Sequence, residues 1–214
     1  MTKTLRFPDV EQANLGDWAL ILSTLRAVYR PDDFATGLAF VNRIGEAAEQ
    51  ADHHPDLVLK YGVVALTLTS HDVGGVTERD LDLARTITTI AADMGIESDR
   101  DSVAALELAL DTRDIGGNRA FWRAVTGWQD VGEDQVEDAD QLIAPLWFQS
   151  TDSEAPDRQR FHLDLTVPRD LAEDRVQRAV AAGGTLVDAS AAPRFWVLAD
   201  PEGNKICICT SEGR

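Results

Sequence analysis

Apolar positions along this chain follow two periods, and the switches between them outline its elements. Residues 18–22 and 25–29 are apolar-rich runs on either side of Ser23-Thr24, which predicts two short strands. Pro31-Asp32-Asp33 breaks the run and offers a helix N-cap. From 34 to 51, Phe34, Leu38, Val41, Ile44 and Ala48 fall at helical spacing and predict a helix with that stripe buried. Pro55 pushes His54 out of helical geometry, so the helix stops at or just before the two histidines. Residues 57–61 and 63–69 read as strands about Gly62, the second with Val64, Leu66 and Leu68 on one face. Val73-Gly74-Gly75-Val76 reads as a loop. Thr77-Glu78-Arg79-Asp80 resembles a capping box, opening a helix that carries Leu83, Ile87, Ile90 and Met94 on one face and ends at Gly95. The sum is ββαββα, an antiparallel sheet flanked by helices on one face, and the polar, acidic segment 97–102 reads as a linker.

Beyond it the pattern restarts. Residues 103–110 read as a strand, 115–125 as a helix with Phe121 and Trp122 among its apolar residues, and 146–149 as a strand. An alternating strand at 161–167 precedes a helix at 171–182, ended by Gly183-Gly184, and short strands at 186–187, 195–198 and 206–209. A strand–helix–strands unit thus occurs twice. Segment 132–144 reads as acidic and irregular, 150–157 as a loop, and Asp200-Pro201-Glu202-Gly203-Asn204 as a turn. The expected class is α+β, with domains at 1–98 and 103–214.

Charge narrows the partners. The formal net charge is −17, with 9 Lys and Arg against 16 Asp and Glu in residues 1–100, and 11 against 21 in the remainder. Neither half carries a basic block, so no nucleic-acid or membrane partner is expected. Cys207 and Cys209, two apart on a strand, point to one face and make a poor staple, which fits a reduced, cytoplasmic protein. The start, Met1-Thr2-Lys3-Thr4, opens no apolar signal segment.

Three of the four histidines, His53, His54 and His71, lie within 19 residues. Histidine exchanges protons near neutral pH, so the cluster is a candidate acid–base site. Glu49, His53-His54-Pro55, Tyr61, His71 and Asp80 also match, position and gap, the signature of the pterin-4a-carbinolamine dehydratase family, which residues 18–94 resemble. The resemblance implies a lyase that dehydrates 4a-hydroxytetrahydrobiopterin to quinonoid dihydropterin in pterin cofactor recycling. It implies His53, His54 and His71 as the acid–base set and a small-molecule pterin as substrate. His53 and His71 are expected to transfer protons and His54 to position the ring. Glu49, Asp80 and Arg79 are the expected substrate-binding residues. Glu49 stands one helical turn before His53 and is also placed to orient it; Asp80 either orients a histidine, bonds the pterin or serves only as a cap. Arg79 is a surface charge or meets an anionic group of the substrate. No resident cofactor is expected, and relatives' assembly implies a homodimer or homotetramer. Val73 stands where some family members carry cysteine.

Residues 103–210 resemble the glyoxalase-like, vicinal-oxygen-chelate superfamily through Leu106–Asp114, Phe121-Trp122, Gly127-Trp128, Phe161-His162-Leu163-Asp164 and the 199–207 segment. That implies paired βαβββ modules and, in many members, a divalent metal, for which Glu107, Phe148 or Gln149, His162 and Cys207 are the corresponding positions. Gln149 is a weak ligand, and Cys207 is soft where a carboxylate is usual. Trp147, Phe148, Phe195 and Trp196 either line the concavity of the sheet or belong to the core. Two alternatives follow: a metal-dependent glyoxalase- or dioxygenase-type enzyme working in the second half, or a non-catalytic pterin-binding or interaction module.

Overall fold

A computed structural model describes residues 3–126, 128–152, 161–181, 183–199 and 205–212. The chain divides into two compact units, Met1–Val103 with Ser211–Arg214, and Ala104–Thr210.

The first unit runs α1 (Phe7–Gln12), β1 (Ala19–Ile21), β2 (Thr24–Arg30), α2 (Phe34–Ala51), β3 (Asp56–Lys60), β4 (Val63–Leu68), α3 (Glu78–Asp93) and β5 (Glu97–Ser98), followed by a 3₁₀ turn at Arg100–Ser102. Its sheet is antiparallel in the order β1-β2-β4-β3, with β5 paired to β2. Leu25, Ala27 and Tyr29 of β2 and Val64, Leu66 and Leu68 of β4 point to one face, as alternation requires, and form one core with helical residues including Phe40, Ile44, Leu83 and Ile87. Tyr29 packs edge-on to Trp18 and Phe40 at the centre.

Two expectations need correction here, and one element is additional. The buried stripe of α2 is Gly37, Phe40, Ile44 and Ala48, while Phe34 and Leu38 are exposed. Two arcs of this helix have helical spacing, and the one with a glycine wins because it lies closest to the sheet. A Cβ at Gly37 would stand 2.9 Å from Leu59 Cδ1 and 3.2 Å from the Pro31 ring. Segment 97–102 is not a linker: β5 extends the sheet, and Asp99 accepts from Arg30 Nε at 2.8 Å. The six-residue α1 had no periodic signal, being too short to show one; only its Val10 is buried.

The second unit runs β6 (Ala105–Thr112), α4 (Ile115–Thr126), β7 (Gln129–Val131), β8 (Gln135–Glu137), β9 (Leu146–Ser150), then β10 (Phe161–Thr166), α5 (Arg169–Ala181), β11 (Thr185–Asp188), β12 (Phe195–Ala199) and β13 (Lys205–Cys209). One eight-stranded sheet has the order β11-β12-β13-β10-β6-β9-β8-β7. Read outward from the centre, each half is first strand, fourth, third, second, and in each half the first and fourth strands are parallel. The repeat expected from the sequence is therefore a two-fold arrangement of βαβββ modules. Segment 132–144 is less irregular than expected, since β7 and β8 form a hairpin on its near side; three-residue strands are too short to show alternation. The 200–204 turn and part of the 150–157 loop lie outside the described residues. No helix among the described residues is long and apolar enough to cross a membrane.

Candidate active site

The end of α2 sets up the site. Asp52 adopts φ 47°, a left-handed C-cap, and the N–H groups of Asp52 and His53 donate back to Ala48 O. That turn swings His53 out of the helix and toward the start of α3, while Pro55 bars further helix. His53 is 8% exposed, and its Nε2 lies 2.7 Å from Asp80 Oδ1.

Asp80 is fully buried, and its oxygens are heavily used. Oδ2 accepts from Thr77 N at 2.7 Å, closing the capping box, and from Ser70 Oγ at 2.7 Å. The cap and histidine-orienting readings of Asp80 are thus both satisfied, one by each oxygen. Because donors surround this carboxylate, the imidazole also meets it as a donor, which places a proton on Nε2. With no exposed surface, Asp80 stands behind His53 rather than at an open face.

His54 lies on the surface, its Nε2 3.1 Å from Glu49 Oε1. Glu49 therefore pairs with His54 and not with His53: the left-handed Asp52 rotates the chain so that the residue five positions on, rather than four, comes alongside. His71 is exposed in the loop after β4 and makes no hydrogen bond or ion pair among the described residues. Both its neighbours are tied down next to His53, Ser70 through Asp80 and Asp72 through Arg79, whose Nη2 bonds Asp72 Oδ1. That Arg79 hydrogen bond holds the Asp72 carboxyl below the usual carboxylate range.

A cavity of about 200 Å³ opens between α2 and α3, and His53, Arg79, Asp82, Leu83 and Thr86 line it with Ala47 and Ala51. Of the three histidines only His53 reaches its wall. Asp72, Asp82, Thr86 and Ser70 had no distinguishing signal in the sequence: each is an ordinary polar residue whose importance comes from where the fold puts it.

In the second unit the register decides which expected positions share a face. Glu107 pairs with Asp164, and Asp164 with Cys207, so these three form a row across β6, β10 and β13. His162 lies on the same face, with Nδ1 3.7 Å from Asp111 Oδ1 and Nε2 3.7 Å from Asp164 Oδ1, and Trp147 packs edge-on to its ring. Trp147 and Gln149 share that face, whereas Phe148 packs in the opposite core with Leu110, Val136 and Leu146, and Trp196 in a core with Val167 and Ile208. Among the described residues no group of three or more His, Cys, Asp or Glu is placed to hold a metal ion.

A family model described as pterin 4 alpha carbinolamine dehydratase matches residues 3–90. A protein of Thermosynechococcus vestitus, provisionally named pterin-4-alpha-carbinolamine dehydratase, is 43% identical over 93 residues, covering 42% of this chain and 98% of its own. The chain belongs to the pterin-4a-carbinolamine dehydratase family. Residues 107–209 match a model described as glyoxalase-like domain. Among solved structures, a transcriptional coactivator/pterin dehydratase from Brucella melitensis is 29% identical with a TM-score of 0.40, covering 42% of this chain and 99% of its own. A glyoxalase/bleomycin resistance protein/dioxygenase superfamily member from Vibrio splendidus is 13% identical with a TM-score of 0.35, covering 50% of this chain and 99% of its own. This dehydratase-family chain thus couples a family-typical first unit to a glyoxalase-like second one.

Proposed function

We propose that the chain is a 4a-hydroxytetrahydropterin dehydratase working through His53, His54 and His71. The observation that carries this reading is the buried Asp80–His53 pair at the wall of a cavity in a member of this family. Dehydration breaks the C4a–O bond, delivers a proton to the departing hydroxyl and removes one from a ring nitrogen, whose electron pair forms the new double bond. One imidazole supplies a proton and another accepts one, so the reaction needs no redox partner. His53, with Nε2–H committed to Asp80, offers Nδ1 as the lone-pair nitrogen and acts as base. His71 serves as its opposite number, and His54, steadied by Glu49, positions the ring. Arg79 meets the substrate beside His53, while Asp80 is a positioning residue. The cavity, about 200 Å³, is below the range of roughly 300–1,000 Å³ for drug-sized ligands, in keeping with a flat fused ring bound at an open rim.

We assign this activity to a domain of residues 1–98 and an undetermined ligand to a domain of residues 103–214, in a cytoplasmic homodimer or homotetramer. The test is dehydration of the carbinolamine by the full chain and by His53→Ala. The expected loss is at least about tenfold, the low end of an acid–base contribution above a reaction that also proceeds spontaneously. Equal rates would remove His53 from the chemistry.

A further inference from the structure

A second cavity lies in the first unit, and none of the three clustered histidines lines it. It is a half-open hollow of about 650 Å³, inside the range of roughly 300–1,000 Å³ usual for small-molecule sites. Its walls are the N-terminal segment 4–8, the β1–β2 turn and the loop 73–76, with Ser211 at one side.

These walls are held in place by backbone bonds. Leu5 N donates to Val76 O at 2.7 Å, and Val73 N and Gly74 N both donate to Ser70 O. Leu22 N donates to Ser211 Oγ at 2.8 Å, and Ser211 Oγ donates to Leu20 O at 3.0 Å. The first of those bonds helps keep Leu22 at φ 56°, a left-handed conformation that a branched side chain rarely adopts. Backbone strain of this kind persists where surrounding structure enforces it, and it concentrates at ligand clamps. Gly74, at φ 65°, leaves open space where a Cβ would stand.

The chemistry of the lining is one-sided. Phe7, Leu20, Leu22, Val73 and Val76 give apolar walls, and Arg6 is the single charged residue among them. None of the lining residues is Asp or Glu, in a chain that carries 37 of them. Asp9 Oδ2 accepts from Arg6 N at 2.9 Å, while the Arg6 guanidinium makes no ion pair among the described residues. An exposed cation at the rim of apolar walls, with no ion-pair partner of its own among the described residues, selects a ligand with the opposite charge.

We propose that this cavity binds a small organic anion with an apolar body, its acid group on Arg6. Apolar walls bury the body, and the planar guanidinium takes two oxygens of the acid group side by side. The site is distinct from the His53 cavity and does not depend on the dehydratase reading.

The full chain is titrated with 8-anilinonaphthalene-1-sulfonate, followed by fluorescence, and in parallel with its neutral counterpart N-phenyl-1-naphthylamine. One saturable sulfonate site is expected, with amide resonances of Leu22, Val73 and Gly74 shifted and those of residues 34–51 unmoved. Arg6→Gln weakens the sulfonate about tenfold or more, the size of a lost charge-assisted contact, and leaves the neutral probe unchanged, which shows the cavity intact. Absence of saturation, shifts located elsewhere, or equal effects of Arg6→Gln on both probes would overturn the proposal.

Discussion

Asp80 shows how one side chain serves folding and chemistry at once. Its Oδ2 closes the first turn of α3 and its Oδ1 holds His53. A residue this buried, accepting from a histidine, a hydroxyl and a backbone N–H, has no neutral stand-in. In Asp80→Asn the amide nitrogen turns a donor toward one of those donors. The variant is expected to lose about 2 kcal/mol of stability, the usual scale for a buried charge-assisted bond left unmade, read from urea unfolding of the full chain. Its dehydration rate is expected to fall with that of His53→Ala, because the imidazole loses its fixed tautomer. A variant as stable and active as the parent would show that the pair does neither job.

At the scale of elements, the segment at 97–102 repays a test. Asp99 caps the 3₁₀ turn, accepting from Ser102 N and Ser102 Oγ, and pairs with Arg30 of β2. The Ser102 hydroxyl first, then Arg30, hold its carboxyl below the usual range. A depressed acid gives stability that is present above its unfolded value and lost as pH falls through its folded one, so this contribution fades below about pH 4. The pair is partly exposed and screened by salt. Asp99→Asn should flatten the fall of the urea midpoint between about pH 4 and pH 2 relative to the parent; superimposable curves would place the acid sensitivity elsewhere.

At the scale of the molecule, exposed apolar residues in the first unit point outward. Phe34 and Leu38 of α2, and Val58 on the edge strand β3, are each about half exposed at 46%, 45% and 46%. An edge strand with an apolar residue facing out is a ready pairing surface. Sedimentation at about 10 μM should return two or four times the 23.4 kDa chain mass; a monomer would refute the proposed assembly.

What the sequence determined by itself was whatever depends on spacing along the chain. The histidine signature, the ββαββα order, the capping box and the repeat of a strand–helix–strands unit are all local patterns set by 2.0 and 3.6 periods and by Pro and Gly. What only the tertiary structure decided was which side of an ambiguous pattern is inside. It chose Gly37 and Phe40 over Phe34 and Leu38, sent Phe148 to one face of a sheet and Trp147 to the other, and gave Glu49 to His54 instead of His53. Those outcomes depend on how closely two elements approach and on the register between strands, which no single stretch of chain contains.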